Sequence, residues 1–339
     1  MCIRDSTNTA TRPPPARVIC NAGGGVYLNN TFDNYNVTVK DWEIELRGGA
    51  LGFGVDGVGT YRGGHVYVVS NSTFYGRRDD RWGTDSRCEA EIVGTGRVTI
   101  NANAGGIGTA DSQPMRFLLS GNNTNFSGGI DLRWNQLVAE QTNALGTGPI
   151  LVASSDSGSG LYLDRPAGNF DWTLANDLSG GRGTNVAIKV EDGTGTNALT
   201  MLGTLDPGTN GAAVTTNSTG ILRMDGSVAF GTGSRLRIHI AGTNGVAGVD
   251  YDQLRVDHDL TGLSNAVLEI SGSTNLVKTS LEGRELVVVT NASALTGAFT
   301  TVQWNAPWRG KIKYNDPAGT VKLYNVTSAP ASGTVLLVQ

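Results

Sequence analysis

The chain is poor in the side chains that most often carry chemistry or covalent cross-links. It holds three cysteines and three histidines in 339 residues. Cys2, Cys20 and Cys88 are odd in number and unevenly spaced, which fits neither a disulfide framework nor a metal knuckle. Charged residues make up 17% and aromatics 7% of the sequence. The 26 basic and 30 acidic residues are spread along the chain, net −4, so there is no basic footprint for nucleic acid. No apolar run reaches the roughly 18 residues of a membrane-crossing helix. Helical periodicity is nearly absent: no window keeps apolar residues three and four apart for three turns, which argues against an α-rich fold.

Glycine is what the chain has in abundance, 48 residues without a three-residue period. That excludes collagen, and the regular short aliphatic runs exclude disorder. Glycine turns corners at low steric cost. The pattern therefore reads as three- to five-residue strands between Gly and Asn corners.

The stretch Asn125 to Gly148, NFSGGIDLRWNQLVAEQTNALGTG, displays this most clearly. Ile130 and Leu132, then Leu137 and Ala139, form two alternating runs bracketed by Gly128-Gly129 and Gly146-Thr-Gly148. Fixing a coil of about 20 to 25 residues costs roughly 1 to 2 kcal/mol per residue in backbone entropy. Four or five buried aliphatics return only about 1.5 to 3 kcal/mol each. One coil cannot fold alone and needs neighbours stacked above and below it.

Phe126-Ser127-Gly128-Gly129, Leu137-Val138 and Asn143-Ala144-Leu145-Gly146-Thr147-Gly148 resemble the autotransporter-associated β-strand repeat of bacterial surface proteins. Ile130-Asp131 and Trp134-Asn135-Gln136-Leu137 depart from that pattern. Further on, GTLDPG, GILRMDG, SRLRIHIAG and Tyr251-Asp252-Gln253-Leu254, with Thr296-Gly297-Ala298-Phe299, look like the closing segment that follows such repeats. The resemblance covers roughly residues 120 to 328. It implies a surface-displayed, non-catalytic passenger region.

The fold expected is all-β: a right-handed parallel β-helix or solenoid over 21–250, with a small antiparallel β cap in 251–339. Val267 to Ile270, Leu286 to Val289, Lys311 to Tyr314 and Thr320 to Tyr324 are the expected hairpin strands of that cap. Ile130, Leu132, Leu137, Leu145, Ile150, Val152, Leu161 and Leu163, the apolar members of short alternating runs, should point inward. Residues 1–20 form a leader with the charges of a secretory signal and without its apolar core. Their opening MCIRDS resembles translated sequencing-adapter sequence of the kind found in environmental assemblies. The expectation is a fragment whose export signal is missing, from a protein of the extracellular space or bacterial outer surface.

Candidate sites are few. Asp41, Glu43 and Glu45 alternate along one strand and read as a solvated face. The charged segment YGRRDDRWGTDSR interrupts the strand rhythm, so Arg77, Asp79, Asp80, Arg81 and Trp82 form the candidate glycan-binding loop. Asp79, Asp80 and Asp85 are the carboxylates offered for glycoside hydrolysis. Asp250 and Asp252 are the candidate calcium ligands, but no EF-type spacing supports this. The expectation is that Asp252 hydrogen-bonds a neighbouring turn. His65, His239 and His258 are widely separated, with His239 on the polar face of the Leu236, Ile238, Ile240 run. No metal or cofactor is expected.

These observations point to a non-catalytic stalk, spacer or adhesin-like scaffold, with glycans or neighbouring cell surfaces as partners. Two alternatives stand beside it: a polysaccharide lyase or glycoside hydrolase on a parallel β-helix, and a self-associating matrix or filament protein. The feature that separates the scaffold from the enzyme is the absence of a convergent His, Cys or metal-spaced cluster.

Overall fold

A computed structural model of the protein describes residues 2–4, 17–29, 37–53, 59–76, 86–101, 116–133, 136–153, 160–164, 172–181, 183–191, 198–209, 218–273, 276, 281–293 and 295–328. The regular structure of these residues is almost entirely β, with a short 3-10 turn at Leu263–Asn265 and a helical residue at Leu281. Strands are short, most of three to six residues, and nearly all pairing is parallel.

Two twelve-stranded sheets run the length of the molecule. In the first, Val98–Asn101, Ile130–Leu132, Ile150–Val152, Leu178–Gly180, Thr204–Asp206, Arg235–Ile240 and Val267–Gly272 lie side by side in that order. In the second, the neighbours include Arg116–Leu119, Gln136–Ala139, Gly160–Asp164, Gly183–Glu191, Gly220–Asp225 and Gln253–Val256. Each of these strands of the first sheet is followed in the chain by a strand of the second, so successive passes stack in register. This is a solenoid-like, largely parallel arrangement, as the corner-and-strand pattern implied.

Register explains why such short strands hold together. Ile130 stands beside Val98 and Ile150, and Leu132 beside Ile100 and Val152. Leu137 and Ala139 stand beside Leu161 and Leu163. Like residues stack on like at the spacing of parallel strands, about 4.8 Å, and the apolar column becomes one continuous core. All eight residues expected inward are buried within it.

A third face is built differently at its two ends. Val18–Asn21, Glu43–Arg47, His65–Ser70 and Glu91–Gly94 form one four-stranded parallel sheet, and Trp172–Leu174, Ala198–Met201, Ser227–Phe230 and Leu260–Thr261 form another. Between them the chain turns, and asparagine replaces the ladder. Buried Asn123 accepts from the Ile92 amide at 2.7 Å and donates to the Ala144 carbonyl at 2.6 Å. Asn176 donates to the Gly148 carbonyl at 2.7 Å. A buried backbone group left unpaired costs about 1 to 3 kcal/mol, so these side chains stand in for strand neighbours. The corner glycines are needed for close approach: a Cβ on Gly128 would sit 1.8 Å from the Gly96 carbonyl oxygen.

Two local expectations are revised. Val37–Lys40 and Glu43–Arg47 are separate strands, divided by Asp41 at φ 56°. Glu45 is buried against Arg17 and Arg47, so the three carboxylates do not form one solvated face. Of the four strands expected to be antiparallel, Val267–Gly272 is parallel to both its neighbours. Leu286–Asn291 is parallel to Gln253–Val256 on one side and antiparallel to Thr320–Ser328 on the other. Trp308–Tyr314 also pairs antiparallel with Thr320–Ser328. Parallel ladders thus run past residue 251 without a break.

Candidate metal centre

Thr204–Asp206 and Arg235–Ile240 are neighbours in the first sheet, with Leu205 beside Leu236. Leu205, Leu236, Ile238 and Ile240 enter the core. Alternation sends Asp206, Arg235, Arg237 and His239 to the opposite face. A side chain there is ordinarily wet, yet His239 is 3%, Asp206 1% and Asp252 0% exposed.

The cause is the return of the chain after Ile240. Ile240 and Tyr251 form an antiparallel bridge, and the Asp252 amide donates to the His239 carbonyl at 2.9 Å. This sets the Asp252 carboxylate against the imidazole. Its Oδ2 accepts from His239 Nδ1 and from the His239 amide, each at 2.8 Å, while Oδ1 accepts from the Gly220 amide at 2.8 Å. Asp206 Oδ1 lies 3.4 Å from the same Nδ1 and accepts from the Gly208 amide at 3.1 Å. Asp206 Oδ2 is buried with no hydrogen-bond partner, and Arg237 Nη1 is 3.7 Å away. One donor atom from each of Asp206, His239 and Asp252 lies within 4.8 Å of the others.

Gly208 makes room for this. A Cβ there would fall 2.0 Å from the Ser218 carbonyl and 2.6 Å from Asp252 Oδ1. The Asp206-Pro207-Gly208 corner therefore supplies both a carboxylate and the gap that admits the second one.

Burial alone lowers the His239 pKa, but the hydrogen bonds and charges of Asp206 and Asp252 outweigh it and push the imidazole up to about 10. Burial raises Asp252 to about 6, against the opposing pull of the imidazolium. At neutral pH the imidazole thus carries a proton held between two carboxylates. A metal ion must displace that proton, since imidazole ligates only when neutral. One nitrogen and two carboxylates make a donor set that suits borderline divalent ions such as zinc or manganese.

This cluster corrects two expectations. The scaffold reading, and with it the absence of enzymatic function, rested on there being no convergent His, Cys or metal-spaced cluster. Asp206, His239 and Asp252 converge and are buried together. The expectation that Asp252 bonds a turn describes only its Oδ1. Asp250 is not part of the centre: its Oδ2 accepts from the Val246 amide at 2.8 Å. Asp257 pairs with Arg223. The glycan-loop residues Arg77, Asp79, Asp80, Arg81 and Trp82, with Asp85, lie outside the described residues. Asp206 and His239 were missed as a pair. The available signal was a carboxylate ending one short strand and a histidine on the polar face of the next strand in the same sheet.

Further along the same face, Arg237 links Asp206 to Glu269, 3.4 Å from its Nη2. Glu269 also accepts from Asn305 at 2.8 Å. No family model matches the chain and no curated protein matches it, so the reading of the centre rests on its own geometry.

Proposed function

We propose that Asp206, His239 and Asp252 form a divalent-metal centre and that the chain is an enzyme acting on polysaccharide, built on a right-handed parallel β-helix that antiparallel strands close at its C-terminal end. The observation that carries the reading is the buried Asp206 Oδ2, which has no hydrogen bond and lies beside an imidazole nitrogen and a second carboxylate. The Arg237 guanidinium, 3.7 Å away, is too far to hydrogen-bond it, and a buried charged oxygen left without a hydrogen bond is costly unless a closer cation completes it. Asp206 and Asp252 supply charge, His239 Nδ1 supplies the softer donor, and the Gly208 and Gly220 amides hold the two carboxylates in place.

The donor atoms lie closer together than the carboxylates of most glycoside hydrolases, which stand about 5 to 9.5 Å apart to flank one glycosidic bond. The centre therefore favours metal-assisted cleavage, in which a bound ion polarises an oxygen of the substrate, over a two-carboxylate mechanism. An extended polysaccharide suits the long face of stacked strands on which the centre lies. Such a substrate fits the expected location outside the cell.

Calorimetric titration with zinc, manganese and calcium tests the metal, using the intact chain and the Asp206→Asn and His239→Ala variants. One ion per chain, lost in both variants, supports the reading. Equal uptake by all three proteins overturns it. The same samples, supplied with acidic and neutral polysaccharides, are followed for reducing ends and unsaturated products.

A further inference from the structure

We propose that residues 241–250 are a strap over the Asp206–His239–Asp252 centre, that Thr219 is its latch, and that local opening of this strap is the route into the site. The proposal rests on that cluster being a working centre, although its test requires no metal. Groups exposed by 3% or less exchange nothing with solvent until something moves.

The segment has the form of a compact loop with touching ends, a type often found at functional sites. Its neck is closed by the Ala241 and Gly242 amides, which donate to the Asp250 carbonyl at 2.7 and 2.9 Å. The neck lies immediately beyond the His239–Asp252 pair, so the loop continues from the site itself. Inside the loop, the Val246 amide donates to Asp250 Oδ2 and the Asp250 amide to the Val246 carbonyl, each at 2.8 Å. Gly245 and Gly248 sit at φ +80° and +77°. Val246 and Val249 are each half exposed and Ala247 alone of the loop's apolar side chains packs against the core, so the loop gains little from core burial and is held chiefly by hydrogen bonds.

Two of those bonds run to distant parts of the chain. The Thr219 hydroxyl donates to the Val249 carbonyl at 2.7 Å, and Arg284 Nη1 donates to the Asn244 carbonyl at 3.2 Å. Thr219 immediately precedes Gly220, whose amide grips Asp252. Asp206 and His239, by contrast, belong to strands paired within the sheet. Among the described residues, the strap is thus the element beside the centre that opens at least cost, as loops held by few apolar contacts do.

Hydrogen exchange and histidine acylation test this on the intact chain and on Thr219→Val. In the intact chain the Val246, Gly248 and Asp250 amides should exchange at least about tenfold faster than those of Ile238 and Ile240. Losing one hydrogen bond in Thr219→Val should speed loop exchange about fivefold. Acylation of His239 by diethylpyrocarbonate, mapped by mass spectrometry against exposed His258 in the same sample, should rise by the same factor. Loop amides that exchange no faster than the strand amides overturn the strap. Faster loop exchange with unchanged His239 acylation overturns it as the route of access. Failure of metal binding would remove the metal reading and leave these two measurements to judge the strap.

Discussion

Two histidines in this molecule each stand between two carboxylates, and they differ in almost everything else. His65 Nδ1 is 2.9 Å from Glu43 and its Nε2 3.5 Å from Glu91, on three strands in direct register, with its side chain 41% exposed. His239 directs one nitrogen at both Asp206 and Asp252 and is buried. The first arrangement follows from strand stacking alone and faces water, where such pairs contribute at most about 1 kcal/mol. The second needs a corner, a returning chain and a glycine gap, and it removes three ionisable groups from solvent. Similar residue types thus give a surface ladder in one place and a candidate reactive centre in the other.

The comparison is broken most severely by Asp252→Ala. It strands the imidazolium, the His239 amide and the Gly220 amide together, and removing one partner of a buried ion pair costs about 3 to 5 kcal/mol. Urea denaturation should show that loss, whereas Glu91→Ala in the surface ladder should cost no more than about 1 kcal/mol.

Alkali should separate the two sites next. The folded-state pKa of His239 is raised to about 10, above an ordinary value near 6.5. The folded protein therefore holds a proton that the unfolded chain gives up. That stabilisation is complete below about pH 6.5 and is lost as pH rises through about 10, amounting to several kcal/mol in total. Denaturation midpoints should fall steadily over that window in the intact chain and far less in His239→Gln. Asp252, raised to about 6, adds a smaller decline of the same sign between its ordinary value near 3.9 and pH 6.

A smaller change sharpens the origin of the site. Gly208→Ala inserts a Cβ against the Ser218 carbonyl and Asp252, and overpacking of this kind costs about 1 to 3 kcal/mol. Its thermal midpoint should drop and its metal affinity should fall with it. The smallest effect is expected at His65→Ala, within about 1 kcal/mol. A larger loss would show that the surface ladder holds the N-terminal strands together.

Much of the fold was written locally. Ile130, Leu132, Leu137 and Leu163 alternate in short runs between glycines, and a residue that alternates must bury one face wherever its strand goes. The inward set followed from that, and the stacking of passes from the recurrence of such runs between glycine and asparagine corners. The direction of the last strands did not, because Val267–Gly272 reads the same whether its neighbours run with it or against it.

The chain by itself determined that short strands stack and which side chains form their core, since period-two alternation and corner glycines are properties of a few consecutive residues. It also put His239 on the polar face of its strand. Only the tertiary structure decided that this face is covered there, because Asp206 arrives from the preceding pass and Asp252 from the returning loop. Convergence of that kind depends on register between strands far apart in sequence, and on the space left by Gly208. No local pattern records either one.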